Sequence, residues 1–273
     1  MKQPGAPGSL SRVTAAGVRR VPRRLMLIIN RMPRLKRALK GLTRKLTAGA
    51  GGMVTFIIRS GPLQGCTLEV DLNRDDHGMW LNAYEPWVHK VLSDVLRPGM
   101  VTWDVGAYIG YYVLLMARLT GAPVVAFEPV SYNVARLQKN LALNHVLDVE
   151  VIEKAVSSRQ ESLRLVNAGE FSIVRDDGEP VESITLDSVL ANHTPPALVL
   201  MDIEGAEEAA LAGAKHLIEQ VRPIWVLELH WDAGARAAER LRAAGYTIES
   251  ADSTDIQTQL RQHQRTHIVA RPQ

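Results

Sequence analysis

Five short apolar segments occupy the middle of the chain, and helical patterns separate them. The segments are residues 100–105, 124–127, 149–152, 197–201 and 224–229. Their hydrophobicity is continuous rather than alternating, which is typical of strands buried on both faces of a parallel sheet. Strands that alternate with helices in this way predict a mostly parallel, doubly wound α/β sheet.

Shorter elements are predicted around and between these strands, bounded by glycine and proline turns. They are a lead-in hairpin (54–59 with 67–70), a helix (83–96), a hairpin insertion (161–174), a short helix after residues 183–187, and a final antiparallel pair (246–249 with 266–270). The predicted sheet then has seven strands in all, including a terminal antiparallel strand. The predicted organisation is an arm (1–50), a lead-in hairpin and helix (51–98) and the main domain (99–273).

Charge divides the chain unevenly. Residues 1–50 hold 13 of the 32 Lys and Arg residues and no Asp or Glu. Residues 18–46 also place apolar side chains at near-helical spacing, a basic amphipathic pattern that suits peripheral contact with an anionic membrane. Packing of the arm on the domain or on a partner subunit is an alternative, and an organelle transit peptide a weaker one. The arm has no aromatic residue to stack on bases, so specific nucleic-acid binding is not expected.

Composition excludes several other classes of protein. The single cysteine, Cys66, cannot form an intramolecular disulfide, and no Cys/His cluster has zinc-site spacing. No apolar run reaches the 18 or so residues needed to span a bilayer. With 46% hydrophobic residues among 273, the chain can bury one sizeable core. We expect a cytoplasmic protein, with the arm as its route to a membrane surface.

A glycine-containing turn follows the first of the five strands. It reads Asp104-Val-Gly106-Ala107-Tyr108-Ile-Gly110, and its glycines allow a bulky ligand close to the backbone. The central glycine of the dinucleotide fingerprint is replaced by Ala107, whose methyl group would crowd a pyrophosphate. The turn therefore favours S-adenosylmethionine over NAD. Close packing of strand on helix is the plain structural alternative.

An acidic residue ends the next strand, in Phe127-Glu128-Pro129 with Asn133 following. A carboxylate at this position can accept hydrogen bonds from both hydroxyls of a ribose, whichever nucleoside carries it. Glu128 could instead cap the helix that begins near Ser131. After the third strand, backbone groups around Ala155 are expected near the adenine.

Three carboxylates cluster after the fourth strand, in Met201-Asp202-Ile-Glu204-Gly-Ala-Glu207. This is the edge of an open α/β sheet at which ligands bind. Asp202 and Glu204 could bind a metal, orient the methyl donor or take a proton from an acceptor. Glu207 could equally be a first-turn residue favoured by the helix dipole.

These motifs together resemble the FkbM family of methyltransferases over residues 80–230. The resemblance rests on Asp104 to Tyr111, Ala126 to Pro129 with Asn133, Asp202 to Glu207, and Glu228-Leu-His230, and it extends to the Tyr84-Glu85 pair. It implies a Rossmann-like class I methyltransferase fold, S-adenosylmethionine as donor, and methylation of a hydroxyl on a sugar, glycolipid or other natural product. In one respect the chain departs from the family, which often has a lysine where Met201 stands.

The chemistry that such a reaction requires points to a general base. His230 is the first candidate because histidine titrates near neutral pH, and Asp202 or Glu204 are the next. A divalent cation held by Asp202 and Glu204 could instead lower the pKa of the acceptor hydroxyl. Two other functions stay open on the same fold: an NAD-dependent oxidoreductase, and a noncatalytic module that binds S-adenosylmethionine. The oligomeric state is not encoded in any pattern.

Overall fold

The computed structural model describes residues 52–76, 78–81, 84–167, 172–250, 255–263 and 265–273. The chain divides into two compact units, Met1–Pro86 and Trp87–Gln273. This boundary places the helix predicted near residue 90 in the second unit rather than in the lead-in segment. The basic amphipathic arm lies outside the described residues and stays a prediction. Among the described residues, no helix combines the length and the apolarity that crossing a bilayer requires.

The first unit contains the predicted hairpin. Strands β1 (Met53–Ile57) and β2 (Thr67–Asp71) pair antiparallel, with Met53 opposite Asp71 and Ile57 opposite Thr67. A short helix α1 (Gly78–Leu81) follows. Phe56, Leu68 and Val70 are buried, so the hairpin has an apolar interior of its own.

The second unit begins with a helix and three parallel strands. Helix α2 (Pro86–Val95) is shorter than predicted, since Pro86 occupies its first position. Strands β3 (Thr102–Val105), β4 (Val124–Phe127) and β5 (Val149–Ile152) follow, separated by helices α3 (Tyr111–Thr120) and α4 (Ser131–Leu143). All residues of β3 and β4 are buried, which confirms that their continuous hydrophobicity marks a strand enclosed on both faces. For β5 this prediction is wrong, because β5 lies at the edge of the sheet and none of its residues is fully buried.

A small sheet interrupts the alternation. It contains β6 (Ala155–Val156), β7 (Ser162–Asn167), β8 (Ser172–Val174) and β9 (Glu179–Ile184), in the order β6-β9-β7-β8. The predicted insertion hairpin is β7 with β8. Strand β9 was not predicted, because Pro180 and two glutamates obscure its pattern. Pro180 is tolerated opposite Arg164 on a strand that is only partly buried.

The rest of the chain completes the main sheet. Its elements are α5 (Leu186–Leu190), β10 (Leu198–Met201), α6 (Glu207–Ala212), a π-helical turn (Leu217–Val221), β11 (Ile224–His230), α7 (Trp231–Ala243), β12 (Tyr246–Ser250), α8 (Ile256–His263) and β13 (Arg265–Pro272). The seven strands lie in the order β12-β13-β11-β10-β3-β4-β5. Only β13 among them runs antiparallel to its neighbours. The predicted fold class is confirmed, and helix α8 is an addition to it.

The core lies on both faces of this sheet. Trp103 on β3 and Trp225 on β11 are fully buried, and the ring of Trp103 lies 5.8 Å from that of Phe127. Since burying such aromatic side chains contributes about 2 kcal/mol or more each, the central strands are fixed firmly. The side chains that follow their carboxyl ends are therefore held on a rigid support.

Two hydrogen bonds join α5 to the segment that precedes β11. The carboxylate of Asp187 on α5 accepts hydrogen bonds from the backbone N–H groups of His216 (2.8 Å) and Leu217 (2.9 Å), which begin the π-helical turn. These donors have no partner within their own helical turn. Asp187 therefore ties α5 to the segment that leads into β11.

We expect Asp187→Ala to lower the free energy of unfolding by about 2 kcal/mol, because two backbone donors lose a charged acceptor. Glu219→Ala, an exposed carboxylate in the same turn, is the matched control and should change stability by less than about 0.5 kcal/mol. Urea unfolding measures both variants. Equal stability of the two would show that the Asp187 contacts contribute nothing.

Candidate functional site

The glycine turn lies between β3 and α3 and has an unusual backbone. Gly106 has φ +94°, Tyr108 +49° and Gly110 +82°. A Cβ on Gly106 would lie 2.0 Å from the carbonyl oxygen of Asp202, and one on Gly110 would lie 3.0 Å from Leu137. Glycine is thus required at both ends of the turn, as the alternative of close strand-on-helix packing predicts. The absence of side chains at these two positions also allows a ligand to approach the backbone.

Hydrogen bonds fix this turn to its neighbours. The backbone N–H groups of Gly106 and Ala107 both donate to the carbonyl of Phe127, at 3.0 and 2.9 Å. The Asn140 side chain donates to the carbonyl of Ile109 at 2.9 Å. The turn is therefore preorganised, and Ala107 is buried within it.

Glu128 lies beside the turn with its carboxylate held in place. Its Oε2 accepts from the backbone N–H of Tyr108 (2.9 Å), and its Oε1 accepts from Val130 N–H and from Asn133 Nδ2 (3.0 Å each). Glu128 does not cap α4, because its donors are the N–H of Val130, which precedes the helix, and the side chain of Asn133 rather than first-turn N–H groups; it links the glycine turn to the start of α4. Pro129, which lies between Glu128 and Val130, is half-buried. Oε2 keeps a further lone pair for a ligand hydroxyl, whereas both lone pairs of Oε1 are already occupied.

Asp104, on β3, is the second carboxylate of this group, and it is 3% exposed. Its Oδ2 has no hydrogen-bond partner among the described residues. Burial, and then the charge of Glu128, raise the pKa of Asp104 to about 8. Burial likewise raises the pKa of Glu128 to about 7, although its hydrogen bonds from Asn133, Val130 and Tyr108 oppose the shift. A buried carboxylate with an unfilled oxygen is what a site for a polar or cationic ligand would leave in its absence.

Asp202 connects this group to a second one. Its backbone N–H donates to the carbonyl of Val105 at 2.9 Å, so the ends of β3 and β10 lie side by side. One ligand atom each from Asp202, Glu228 and His230 lies within 4.8 Å of the others. The predicted residues are therefore divided between two neighbouring groups, with Asp202 at the junction. Ala155 lies outside both groups, on β6, where it pairs with Ser183 of β9; its predicted place near the adenine stays a prediction.

The second group is centred on His230, the last residue of β11. Its Nδ1 lies 2.8 Å from Oε1 of Glu207, and since a carboxylate accepts, Nδ1–H is the donor. The backbone N–H of Gly205 donates to the same oxygen at 2.9 Å. On the other side of the ring, Nε2 lies 3.2 Å from Oε2 of Glu204. Glu207, which could be taken for a simple first-turn residue, is the partner that orients His230.

Exposure decreases along this line of three side chains. Glu204 is 16% exposed, His230 3% and Glu207 0%. Burial lowers the pKa of His230, but the hydrogen bond to Glu207 and the charges of the three nearby glutamates outweigh it, and the net shift is upward. Burial is also the main reason that the pKa of Glu204 is raised. A ligand approaching from solvent meets Glu204 before His230.

Strand β13 supplies cationic partners that the sequence motifs did not reveal. Nη1 of Arg265 lies 3.0 Å from Oε1 of Glu228, and Nε2 of His267 lies 3.5 Å from Oε2. Burial raises the pKa of Glu228, but His267, Arg265 and His230 outweigh it and hold the pKa well below its usual range. In the antiparallel pairing of β11 with β13, His267 lies opposite Glu228 and Arg265 lies opposite His230. This two-residue spacing on both strands is the signal that could have identified Arg265 and His267 as partners of Glu228.

The geometry does not favour the predicted divalent cation. Glu204 is not part of the close group formed by Asp202, Glu228 and His230. Within that group, Glu228 already pairs with a guanidinium, and His230 Nδ1 is committed to Glu207. A cation bound to this group would therefore have to compete with Arg265 for Glu228.

Comparison with known proteins agrees with the motifs. Residues 104–248 match the model of the methyltransferase FkbM domain. The 31-O-demethyl-FK506 methyltransferase FkbM of Streptomyces tacrolimicus is 30% identical over 197 residues, which cover 56% of this chain and 75% of that protein. These matches exclude the alternative of an NAD-dependent oxidoreductase family.

Two solved structures have similar folds at low identity. Methyltransferase FkbM from Methylobacillus flagellatus KT matches with a TM-score of 0.46 and 18% identity, over 72% of this chain and 56% of that one. SMU.1697c from Streptococcus mutans, in complex with SAH, matches with a TM-score of 0.44 and 12% identity, over 68% of this chain and 96% of that one. The family match and the relative from Streptomyces carry the assignment: the chain belongs to the FkbM methyltransferase family.

Proposed function

We propose that this methyltransferase transfers a methyl group from S-adenosylmethionine to a hydroxyl oxygen, on a sugar, glycolipid or other natural product. The observation that carries the proposal is the line Glu204–His230–Glu207, which leads inward from a partly exposed carboxylate two residues after Asp202, whose carbonyl lies against Gly106. A sulfonium donor supplies an electrophilic methyl group and a good leaving group. What the protein must add is placement of the acceptor oxygen and removal of its proton.

The glycine turn and its carboxylates suit the donor. Glu128 presents a buried, pre-aligned acceptor oxygen, Oε2, for a ribose hydroxyl, and the backbone from Gly106 to Gly110 allows close approach. The ionised form of Asp104, with its open Oδ2, suits a hydroxyl or a cationic group of the donor. Asp202 would then lie between the donor and the proton-accepting group.

Proton removal is assigned to Glu204 and His230 together. The acceptor hydroxyl would donate to Glu204, the outermost member, and the proton would pass to Nε2 of neutral His230, 3.2 Å away. Glu207 holds the ring so that Nε2 faces Glu204, and it stabilises the imidazolium that forms. Glu207 acts through His230 and is therefore a positioning residue.

Donor binding is the first test. Calorimetric titration of the full chain should show binding of S-adenosylmethionine but not NAD, and Glu128→Gln should weaken it about tenfold or more, because one charged acceptor is lost. Glu153→Gln, a carboxylate that accepts from Ser131 at the surface, is the matched control. Binding of NAD alone, or of neither ligand, would contradict the proposal.

Donor affinity should also depend on pH. Below pKa values of about 8 for Asp104 and 7 for Glu128, these carboxyls are protonated and accept hydrogen bonds poorly. Raising the pH from 6.0 to 7.5 ionises most of Glu128 and raises the ionised fraction of Asp104 to roughly a quarter, so the affinity for S-adenosylmethionine should increase about fivefold or more. In Asp104→Asn the increase should be smaller. A flat profile in the wild-type protein would show that neither carboxyl changes charge on binding.

Turnover tests the proton path. His230→Gln and Glu204→Gln should each reduce kcat by roughly 100-fold while leaving donor affinity within about threefold. Radiolabelled methyl transfer to pyranosides and cyclohexanols measures the rate. Intact donor binding with no transfer to any hydroxyl would favour a noncatalytic binding module instead.

The acid limb of the pH profile separates Glu207 from a purely structural role. Activity requires neutral His230, so kcat should fall as the pH drops below its raised pKa. Glu207→Gln removes the charge that raises this pKa, so the limb should move to lower pH and the plateau should decrease. Glu208→Gln, whose partner is Arg240 outside the group, is the control. An unchanged limb in Glu207→Gln would contradict the assignment.

A further inference from the structure

An aromatic ring lies exposed at the entrance to the second group. Trp231 directly follows His230, and it is 41% exposed, whereas Trp103 and Trp225 are fully buried. Its ring centroid lies 5.5 Å from that of His230. A single exposed aromatic side chain is common at protein surfaces, but this one lies beside His230, which in turn lies 3.2 Å from Glu204.

The backbone around this ring is held in sparsely populated conformations. Trp231 has φ +48° and Glu204 has φ +52°, both in the left-handed region although neither is glycine. Such residues cost of order 1 kcal/mol each and concentrate at functional sites. Glu204 lies in the loop after β10 and Trp231 is the first residue of α7, yet the two positions lie close together.

Gly205 shows how closely these loops meet. A Cβ on Gly205 would lie 2.8 Å from Cζ3 of Trp231, so the indole packs directly on the backbone that follows Glu204. Gly205 also donates its N–H to Glu207. The indole therefore lies against the residue that follows Glu204 and beside the ring of His230, whose Nε2 is 3.2 Å from the Glu204 carboxylate.

We propose that Trp231 is the acceptor-binding platform of this enzyme and selects a hydroxyl carried on a six-membered ring with an apolar face, such as a pyranoside or a cyclohexanol. The C–H groups of such a ring would pack on the indole face and exclude water, while an equatorial hydroxyl at the ring edge reaches Glu204. An open-chain polyol offers no rigid apolar face and gains less from the contact. This inference rests on the proposed hydroxyl methylation.

The test compares two substitutions that keep apolar bulk and differ in having a flat ring. Trp231→Phe keeps a ring and Trp231→Leu does not; Leu147→Ala, at a side chain 91% exposed, controls for loss of surface apolar area. The full chain, saturated with S-adenosylmethionine, is assayed with methyl α-D-glucopyranoside and trans-1,2-cyclohexanediol as ring probes and with erythritol as the open-chain probe. Saturation-transfer NMR gives Kd, and methyl transfer gives KM and kcat.

We expect Trp231→Leu to raise Kd and KM for the ring probes about tenfold, with Trp231→Phe and Leu147→Ala within about threefold of wild type. Donor affinity should not change in any of them. Equal affinity for ring and open-chain probes in the wild type, or an unchanged ring preference in Trp231→Leu, would overturn the proposal.

The result is separable from failure of the proposed reaction. If His230→Gln keeps wild-type turnover while Trp231→Leu loses ring binding, the proton path is wrong and the platform stands. If the wild type binds ring probes through Trp231 but transfers no methyl group, O-methylation is wrong for these probes and recognition of the ring is retained.

Discussion

The close approach of Gly106 to Asp202 is the constraint on which the site depends. With a Cβ at Gly106 the Asp202 carbonyl would be only 2.0 Å away, so glycine alone lets the ends of β3 and β10 lie together. The glycine turn follows β3, and the acidic string Asp202 to Glu207 follows β10. Any separation of these strand ends would move the proposed donor pocket away from Glu204 and His230, and reactions of this kind are sensitive to displacements of 1 Å.

The site concentrates buried charge that a stable fold would otherwise avoid. Asp104, Glu128, Glu207 and Glu228 are each at most 4% exposed. Backbone donors compensate Glu128 and Glu207, and Arg265 with His267 compensates Glu228. Asp104 keeps one oxygen open, and its pKa rises accordingly. The folded state keeps the Asp104 proton up to a pH of about 8, whereas the unfolded chain releases it near 3.8, so the free energy of unfolding decreases as the pH rises between these values. A ligand that binds the folded state can offset this loss of stability.

Much of the fold was readable because it follows from burial. The buried parallel strands gave continuous apolar runs, and the final antiparallel pair kept its alternation. Strand β9 escaped because partial exposure allows Pro180 and glutamates within it. In the candidate site, Asp104, Glu128 and the Asp202 to Glu207 string were predicted from their positions at or just after the ends of strands. The partners Arg265 and His267 were not, since only the pairing of β13 with β11 brings residues so distant in sequence next to Glu228.

Met201 stands at the position where the family resemblance implies a lysine. The side chain is fully buried in the main hydrophobic cluster, and its neighbours in the sheet are Val105 and Leu227. A lysine at this position would have to carry its ammonium group out of that cluster to the nearby carboxylates. Here the positive charge comes instead from Arg265, and from His267 and His230 when protonated, on strands that end at the same group. Because Arg265 is more than half exposed, its charge needs no burial of its own, and the core gains a well-packed apolar side chain.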